Sequence, residues 1–339
     1  MNHVVYLLGA GASYGVREKN QKGEDLPGHI IRGLPIVSQL EQSIDWYLQT
    51  IGKPLGLYDS LEEITEYPYL YKELLWLKEL CQTYPTIDTY AKKLTITGNC
   101  RELDRLKKAL SSFFVLIQSH QKRDLRYDGF IASIIQNDGS LPNNISVLSW
   151  NYDYQMEYVL QDFSPITTDI LHIWQKQGIT CKGFGSFIDK SRFNCVKLNG
   201  TAMFSIIQGN QLIDPSIYNP VRIEKWYEDR FRTWKSNISF AWEKDDRFVE
   251  GVLPLVKDAK VLVVIGYSFP FVNRAVDRKI IQNMDELKTV YIQDTAANDV
   301  KQNFETLLSN NQRLGYSGRL LQIHSRTSVN QFIIPPELT

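Results

Sequence analysis

Short apolar runs alternate along this chain with longer stretches in which apolar residues recur every three or four positions. The short runs are rich in β-branched residues and are bounded by glycine or polar residues, so they predict buried strands. The predicted strands cover residues 4–8, 145–149, 168–173, 194–198, 261–265, 289–293 and 320–324. The run VLVVI at 261–265 has no polar position, which is typical of a strand buried on both faces of a parallel sheet.

Helical periodicity fills most of the remaining chain. Leucine and aromatic stripes predict helices after Leu34-Pro35, at about 70–80 and at about 103–117. The polar, glycine-containing segment 17–33 predicts a loop that could form a mobile lid over the end of the first strand. An aromatic segment at about 203–256 predicts a second, smaller helical insertion.

Strands that alternate with helices predict an α/β fold with a doubly wound parallel, Rossmann-like sheet and inserted helical subdomains. We expect a single domain over residues 1–339, with one helical insertion at about 50–140 and the smaller one at about 203–256. The ligand of such a sheet binds outside the carboxyl ends of its strands.

Composition excludes several classes of protein. The 38 Lys and Arg balance 38 Asp and Glu, so no overall field attracts nucleic acid or an anionic membrane, and we predict no direct nucleic-acid partner. No apolar run approaches the ~20 residues of a membrane helix, and no secretion signal is evident, so we expect a cytoplasmic protein. The four cysteines lie far apart, which predicts thiols rather than a zinc site or disulfides.

A glycine-rich turn follows the first predicted strand. Gly9, Ala10, Gly11 and Ser13 belong to the sequence GAGAS, which has almost no side chain. Such a turn lets the pyrophosphate of a nucleotide approach the backbone N–H groups, although the same glycines also allow simple close packing.

Polar or small residues follow the other predicted strands as well. They are Asn151, Asp153, Asn199, Gly266, Ser268 and Asp294. Because the carboxyl ends of parallel strands meet at one edge, we expect these residues and the GAGAS turn to surround one nucleotide cleft. Each also has a structural alternative, since Asn and Asp at such junctions commonly cap helices; Asp294 is suited equally to a cap and to a ribose hydroxyl.

Two titratable residues each have two interpretations. Asp88 begins a helical pattern, where it either caps the helix or faces the cleft. His172 lies in the predicted strand TDILHI, either as a packed strand residue or as a histidine that serves the cleft.

These motifs, in this order, resemble the Sir2-like NAD-consuming domains, relatives of sirtuins, and especially the bacterial versions found in antiphage defence. The resemblance rests on GAGAS (9–13), WNYD (150–153), KLNG (197–200), IGYSF (265–269) and YIQD (291–294), and IDTYAKKL (87–94) also looks like the bacterial group. It covers most of the chain.

The resemblance implies a role for each motif. The turn residues Gly9, Ala10, Gly11 and Ser13 would hold the NAD pyrophosphate and the adjoining ribose. Asn151 would take the place of the catalytic Asn beside the nicotinamide ribose, with Asp153 in the nicotinamide pocket. The adenosine half would contact Gly266 and Ser268, and its ribose Asp294.

Two departures from the family pattern define the expected activity. The cysteine-pair zinc module of sirtuin deacetylases is missing, so we expect no zinc and no protein deacetylation. Asn199 stands where the family usually has the His of its K-L-H-G motif, and an amide cannot act as a base. The leading hypothesis is an NAD glycohydrolase (NADase); the alternatives are a non-catalytic NAD or ADP-ribose sensor or scaffold, and transfer of ADP-ribose to an acceptor.

The resemblance also implies partners. Effectors of this kind are switched on, so we expect a homo-oligomer, a second defence protein such as a sensor, ATPase or Argonaute-like protein, or both.

Overall fold

The computed structural model describes residues 2–51, 67–164, 169–182, 184–185, 188–208, 211–229, 233–243, 246–314 and 320–338. The strands are β1 (His3–Leu8), β2 (Val16–Lys19), β3 (Asp25–Arg32), β4 (Ile145–Ser149), β5 (Ile179–Cys181), β6 (Phe184–Gly185), β7 (Asn194–Lys197), β8 (Gly200–Ile206), β9 (Gln211–Leu212), β10 (Trp234–Ile238), β11 (Ala259–Ile265), β12 (Thr289–Gln293) and β13 (Gln322–Arg326). The helices are α1 (Leu40–Ile51), α2 (Pro68–Thr83), α3 (Ile87–Ile96), α4 (Cys100–His120), α5 (Leu125–Ile134), α6 (Gln155–Asp162), α7 (Ile170–Gln177), α8 (Pro220–Glu228), α9 (Asp246–Val256), α10 (Arg274–Gln282), α11 (Ala297–Glu305) and α12 (Asn310–Leu314).

The central sheet has the strand order β13-β12-β11-β1-β4-β7-β5-β6. Every neighbouring pair is parallel except β5 and the short edge strand β6. The chain runs outward from β1 to β4 on one side and later returns to β11 on the other. The predicted doubly wound parallel sheet is therefore confirmed, and its topological switch point lies at β1.

Residues of β1 alternate between two hydrophobic cores. Val4, Tyr6 and Leu8 pack on one face of the sheet with helices α1, α2, α4 and α5. Val5 and Leu7 pack on the other face with helices α9, α10 and α11. This alternation follows from the two-residue period of a strand. Because both faces of β1 are buried, the run at residues 4–8 has no polar position.

Helices α2 to α5 occupy the described part of the predicted insertion at about 50–140, of which residues 52–66 lie outside the described ranges. Three of these helices start with a side-chain cap: Thr86, Asn99 and Asp124 accept backbone N–H groups of α3, α4 and α5. These caps orient α3 and α5, which carry residues of the candidate site.

The prediction of a loop at 17–33 is wrong, because β2 and β3 form an antiparallel hairpin there. Its turn is closed by a hydrogen bond of 2.9 Å from the Gly23 N–H to the Asn20 carbonyl, with Gly23 in a left-handed conformation (φ 79°). The hairpin has few buried side chains, so apolar alternation could not reveal it.

The predicted strand at 168–173 is also wrong. Its described part starts helix α7, and the Asp169 carboxylate accepts the Leu171 N–H at 2.8 Å as a cap. Ile170, Ile173, Trp174 and Gln177 are buried with helical spacing, a pattern that extends beyond the apolar run. The strand of this region is instead β5, just after the helix.

The segment 203–256 was predicted to be helical. It instead includes most of a three-stranded antiparallel sheet, in the order β10-β8-β9, together with helices α8 and α9. Aromatic rings pack across the paired strands, with the centroids of Phe204 and Trp234 5.0 Å apart. Trp226 of α8 packs on Phe204 at 5.2 Å. The aromatic pattern that suggested a helix therefore stabilises strands, in which aromatic side chains are favoured.

Candidate functional site

Strand register brings the predicted site residues to one edge of the sheet. Leu8, the last residue of β1, pairs with Ser149 on one side and with Ile265 on the other. Further out, Ser149 pairs with Lys197 and Ile265 pairs with Gln293. The residues that follow these strand ends therefore lie side by side at the carboxyl edge, around the topological switch point.

The glycine turn packs directly against the turn that follows β11. A Cβ atom on Gly9 would lie 2.5 Å from the Gly266 carbonyl oxygen, and one on Gly11 would lie 2.7 Å from the Gly266 Cα. The N–H groups of Gly9, Gly11 and Ala12 donate to the carbonyls of Ile265, Gly266 and Gly9 at 2.9 to 3.0 Å. Close packing thus accounts for both glycines, and the pyrophosphate role of this turn remains a prediction.

Ser13 is the centre of a buried hydrogen-bond cluster. Its hydroxyl donates to Asp153 Oδ2 at 2.7 Å and lies 2.8 Å from the Tyr127 hydroxyl. Asn151 Nδ2 donates to Ser13 Oγ at 3.2 Å and to the Gly9 carbonyl at 2.9 Å. Since Ser13 donates to the carboxylate, its oxygen accepts from Tyr127 and Asn151. The structure therefore joins Ser13, Asn151 and Asp153 into one unit.

The cluster is almost closed to solvent. Asn151, Asp153 and Asn199 are each 7% exposed, and Ser13 is 1% exposed. Asp153 also has the structural role expected of a strand-to-helix junction, since its Oδ1 accepts the Gln155 N–H at 3.2 Å. The turn that leads into α6 and the cluster are therefore stabilised by different oxygens of one carboxylate.

A buried ion pair lies next to Asp153. Lys197 Nζ donates to Glu157 Oε1 at 2.7 Å and also to the backbone carbonyl of Asp153. The two side chains are 4% and 1% exposed. The KLNG motif thus supplies a lysine that ties β7 to the segment after β4, a role that sequence analysis missed.

Asn199 has an unsatisfied acceptor. Its Nδ2 donates a long hydrogen bond of 3.4 Å to the Trp150 carbonyl. Its Oδ1 is buried and has no hydrogen-bond partner within the ranges that the structure describes. A buried amide oxygen in this state is suited to a donor from a ligand.

The predicted residues on the β11 and β12 side are less tightly connected to the cluster. Ser268 is exposed, and its carbonyl accepts from Asn303 Nδ2 at 3.0 Å. It precedes Phe269, whose φ of 55° is a strained value for a residue with a side chain. Asp294 Oδ1 accepts the Ala296 N–H at 2.8 Å. The Asp294 carboxylate therefore closes a turn just before α11, whose N-cap is Ala296, and its ribose role remains a prediction.

A second polar group lies beneath the rim, on the other face of the sheet. Asp277 of α10 accepts Trp150 Nε1 at 3.1 Å and the Tyr267 hydroxyl at 2.8 Å. The two rings stack with centroids 6.0 Å apart. Burial raises the pKa of Asp277 to about 7. Asp277 thus joins the segments after β4 and β11. The sequence analysis did not identify it, because a single acidic residue on an amphipathic helix has no distinctive pattern.

Asp88 is not the cap of its helix. The cap of α3 is Thr86, whose Oγ1 accepts the Thr89 N–H at 3.1 Å, so Asp88 lies within the first turn and is half-buried. Burial raises the pKa of the Tyr152 and Tyr267 phenols well above their usual value, and the charge of Asp88 raises both further. The charge of Asp88 thus influences two residues that follow β4 and β11, and its place in the cleft remains a prediction.

His172 is neither a strand residue nor packed, because it is exposed on helix α7. Within the described ranges, no group of three or more His, Cys, Asp or Glu side chains is arranged to hold a metal ion. No helix in the described part of the chain is long and apolar enough to cross a membrane.

No protein-family profile matches the chain, and no curated protein matches it. Solved structures with which it aligns include a histidine-to-alanine Sir2 with a deacetylated p53 peptide and 3′-O-acetyl ADP-ribose, at 13% identity, 90% of each chain and a TM-score of 0.36. Another concerns sirtuin substrate affinity, at 11% identity, 90% of this chain, 93% of the other and a TM-score of 0.36. Similarity at this level carries no argument about function, and the fold assignment rests on the sheet topology.

Proposed function

We propose that this chain is a Sir2-like NAD⁺ glycohydrolase that cleaves NAD to nicotinamide and ADP-ribose. The observation that carries the proposal is the buried cluster of Ser13, Asn151 and Asp153 beside Asn199 at the topological switch point. The ordered motif resemblance supplies the identity of the substrate.

The polar groups of the cluster fit a nicotinamide ribose. The unpartnered Asn199 Oδ1 can accept a hydrogen bond from a ribose hydroxyl, and a ligand donor would satisfy this buried atom. Ser13 and Gly9 hold the Asn151 amide in one orientation. Cleavage of the glycosidic bond passes through an oxocarbenium-like state, so fixed amides that orient the ribose and an attacking water favour the reaction without titrating.

The near closure of the cluster supports an enzyme that is switched on. Asn151, Asp153 and Asn199 are each 7% exposed, and we propose that the rim opens to admit a dinucleotide. We propose that a homo-oligomer, or a second defence protein such as a sensor, ATPase or Argonaute-like protein, provides this switch. The protein would then deplete NAD in the cytoplasm as an effector of bacterial antiphage defence.

The test is nicotinamide release from NAD by the purified protein, alone and with an extract of phage-infected cells. Asn151→Ala should lower the rate by about 10²-fold or more, as expected for loss of one positioned polar group. Asn144→Ala is the matched control, because Asn144 precedes β4 at the opposite end of the same strand and donates to the Asn2 carbonyl. Absence of release under both conditions, or equal rates for the two variants, would refute the proposal.

Asn199 favours a second candidate function, a non-catalytic sensor of NAD or an ADP-ribose derivative. An amide at this position can bind a ribose hydroxyl but cannot remove a proton. Tight binding of NAD that stays intact, with no turnover gained by Asn199→His, would support the sensor. Labelled ADP-ribose that remains on a macromolecule would instead indicate transfer.

A further inference from the structure

The start of helix α5 reaches the glycine turn with two consecutive side chains. Arg126 Nη2 donates to the carbonyls of Gly11 and Ala12, at 3.1 Å each. The Tyr127 hydroxyl lies 2.8 Å from Ser13 Oγ, and Tyr127 is 2% exposed. Arg126 therefore holds the backbone of the turn, and Tyr127 contacts the hydroxyl that the turn contributes to the buried cluster.

The ring of Tyr127 is also held by the segment that follows β13. Its centroid lies 5.1 Å from that of Phe332, in an edge-to-face arrangement. The guanidinium carbon of Arg126 lies 5.5 Å from the Phe332 centroid, and Arg126 Nη1 donates to the Val329 carbonyl at 3.1 Å. The phenol ring therefore has a defined position, and removal of its hydroxyl alone would leave this packing intact.

Each hydrogen-bonding position of Ser13 Oγ is used. A hydroxyl has one hydrogen and two lone pairs, and the hydrogen of Ser13 goes to the Asp153 carboxylate, which can only accept. One lone pair accepts the Tyr127 hydrogen, and the other accepts a hydrogen of the Asn151 amide. Burial and the charge of Asp153 raise the pKa of Tyr127 well above its usual value, so this phenol keeps its proton and stays a donor.

We infer that Tyr127 is a positioning residue of the proposed hydrolysis, because its hydroxyl holds Ser13 and, through Ser13, the amide of Asn151. The inference rests on the proposed function and deepens it by assigning the helical insertion a part in catalysis. Without the phenolic hydrogen, Ser13 Oγ can turn, and the 3.2 Å bond from Asn151 Nδ2 loses its fixed acceptor. The Asn151 amide would then orient the ribose less precisely, and misplacement of a positioning group lowers kcat.

The experiment measures kcat and KM for nicotinamide release, the affinity for ADP-ribose by calorimetry, and stability by urea unfolding. Tyr127→Phe should lower kcat by about 10-fold or more. Its KM and its affinity for ADP-ribose should stay within about threefold of the wild type, since a positioning defect weakens interactions that are made in the transition state.

Tyr6→Phe is the matched control. Tyr6 is fully buried and packs on the same helix, with its ring centroid 4.8 Å from that of Phe130. Its hydroxyl donates to the Ile333 carbonyl at 3.0 Å, outside the buried cluster. Tyr6→Phe and Tyr127→Phe each remove one buried hydroxyl and should lose similar stability, whereas Tyr6→Phe should keep the kcat of the wild type.

A double variant tests whether Tyr127 acts through Ser13. Ser13→Ala already removes the hydroxyl that Tyr127 holds. The double variant Tyr127→Phe/Ser13→Ala should therefore have the kcat of Ser13→Ala within about twofold, whereas two independent effects would multiply.

Each contrary outcome has a distinct meaning. A Tyr127→Phe protein whose kcat matches that of Tyr6→Phe overturns the positioning role and leaves the glycohydrolase standing. Multiplied losses in the double variant also overturn it, as does a lost affinity for ADP-ribose, because Tyr127 would then be a binding or structural residue. A wild-type protein that binds NAD but never releases nicotinamide overturns the proposed function itself, and the positioning role with it.

Discussion

Loss of the Lys197 ammonium should destabilise the protein strongly. In Lys197→Met, the buried Glu157 carboxylate loses its partner, and the Asp153 carbonyl loses its donor. Removal of one member of a buried ion pair costs about 3–5 kcal/mol, because the remaining charge stays in a medium that solvates it poorly. Lys19→Met is the matched control, since the Lys19–Asp25 pair is 62% and 41% exposed and should contribute no more than about 1 kcal/mol.

The stability lost in Lys197→Met should depend on pH. Burial already raises the pKa of Glu157 above its ordinary 4.5, and Lys197 opposes the rise. Without Lys197 the folded-state pKa rises further, so above pH 4.5 the native state holds a proton that the unfolded state has lost. Stability then falls as the pH rises through this window. The deficit of Lys197→Met should therefore be larger at pH 8 than at pH 5.

Urea unfolding of these variants at pH 5 and pH 8 provides the measurement. The double variant Lys197→Met/Glu157→Leu should recover most of the lost stability, because an apolar pair of similar volume is often neutral in place of a buried ion pair. A single variant within about 1 kcal/mol of the wild type, or a double variant no better than the single one, would refute an energetically coupled pair at this position.

Two further predictions concern the turn after β11 and the residue beneath it. In Gly266→Ala, the new Cβ would lie 2.3 Å from the Ala12 nitrogen at a φ of 58°, so we expect a loss of about 2 kcal/mol or more in denaturant unfolding, whereas Gly23→Ala, with open space, should lose less. Equal losses would contradict this. For Asp277, burial raises the pKa from 3.8 to about 7, so wild-type stability should fall by about 4 kcal/mol as the pH rises through that window. Asp277→Asn should remove this slope, and an unchanged slope would locate the titration elsewhere.

The strand ends next to the candidate site were predictable because β1, β4 and β11 are short, mostly apolar runs. The predictions at 145–149 and 289–293 coincide with β4 and β12, since both strands are buried over their whole length. The run at 168–173 failed because six residues fit both periods, and the helical spacing becomes decisive only with Trp174 and Gln177. Local pattern thus located the edge of the sheet but not every element beside it.

The candidate site likewise has residues that the sequence predicts and residues that it does not. Asn151, Asp153 and Asn199 follow strands directly, so sheet topology alone brings them together. Tyr127 comes from the helical insertion, and no spacing rule predicts which residue of an amphipathic helix reaches a distant strand end. Its place depends on how α5 packs, which is a tertiary property.

This division bears on how such a protein would be controlled. The proposed binding groups follow strands of the sheet, whereas Tyr127 belongs to helix α5 of the insertion and lies 2.8 Å from the Ser13 hydroxyl. A displacement of the insertion would therefore break this contact with the buried cluster. A partner that binds the insertion would then act on the cluster through Tyr127, without altering the sheet that holds Asn151 and Asn199.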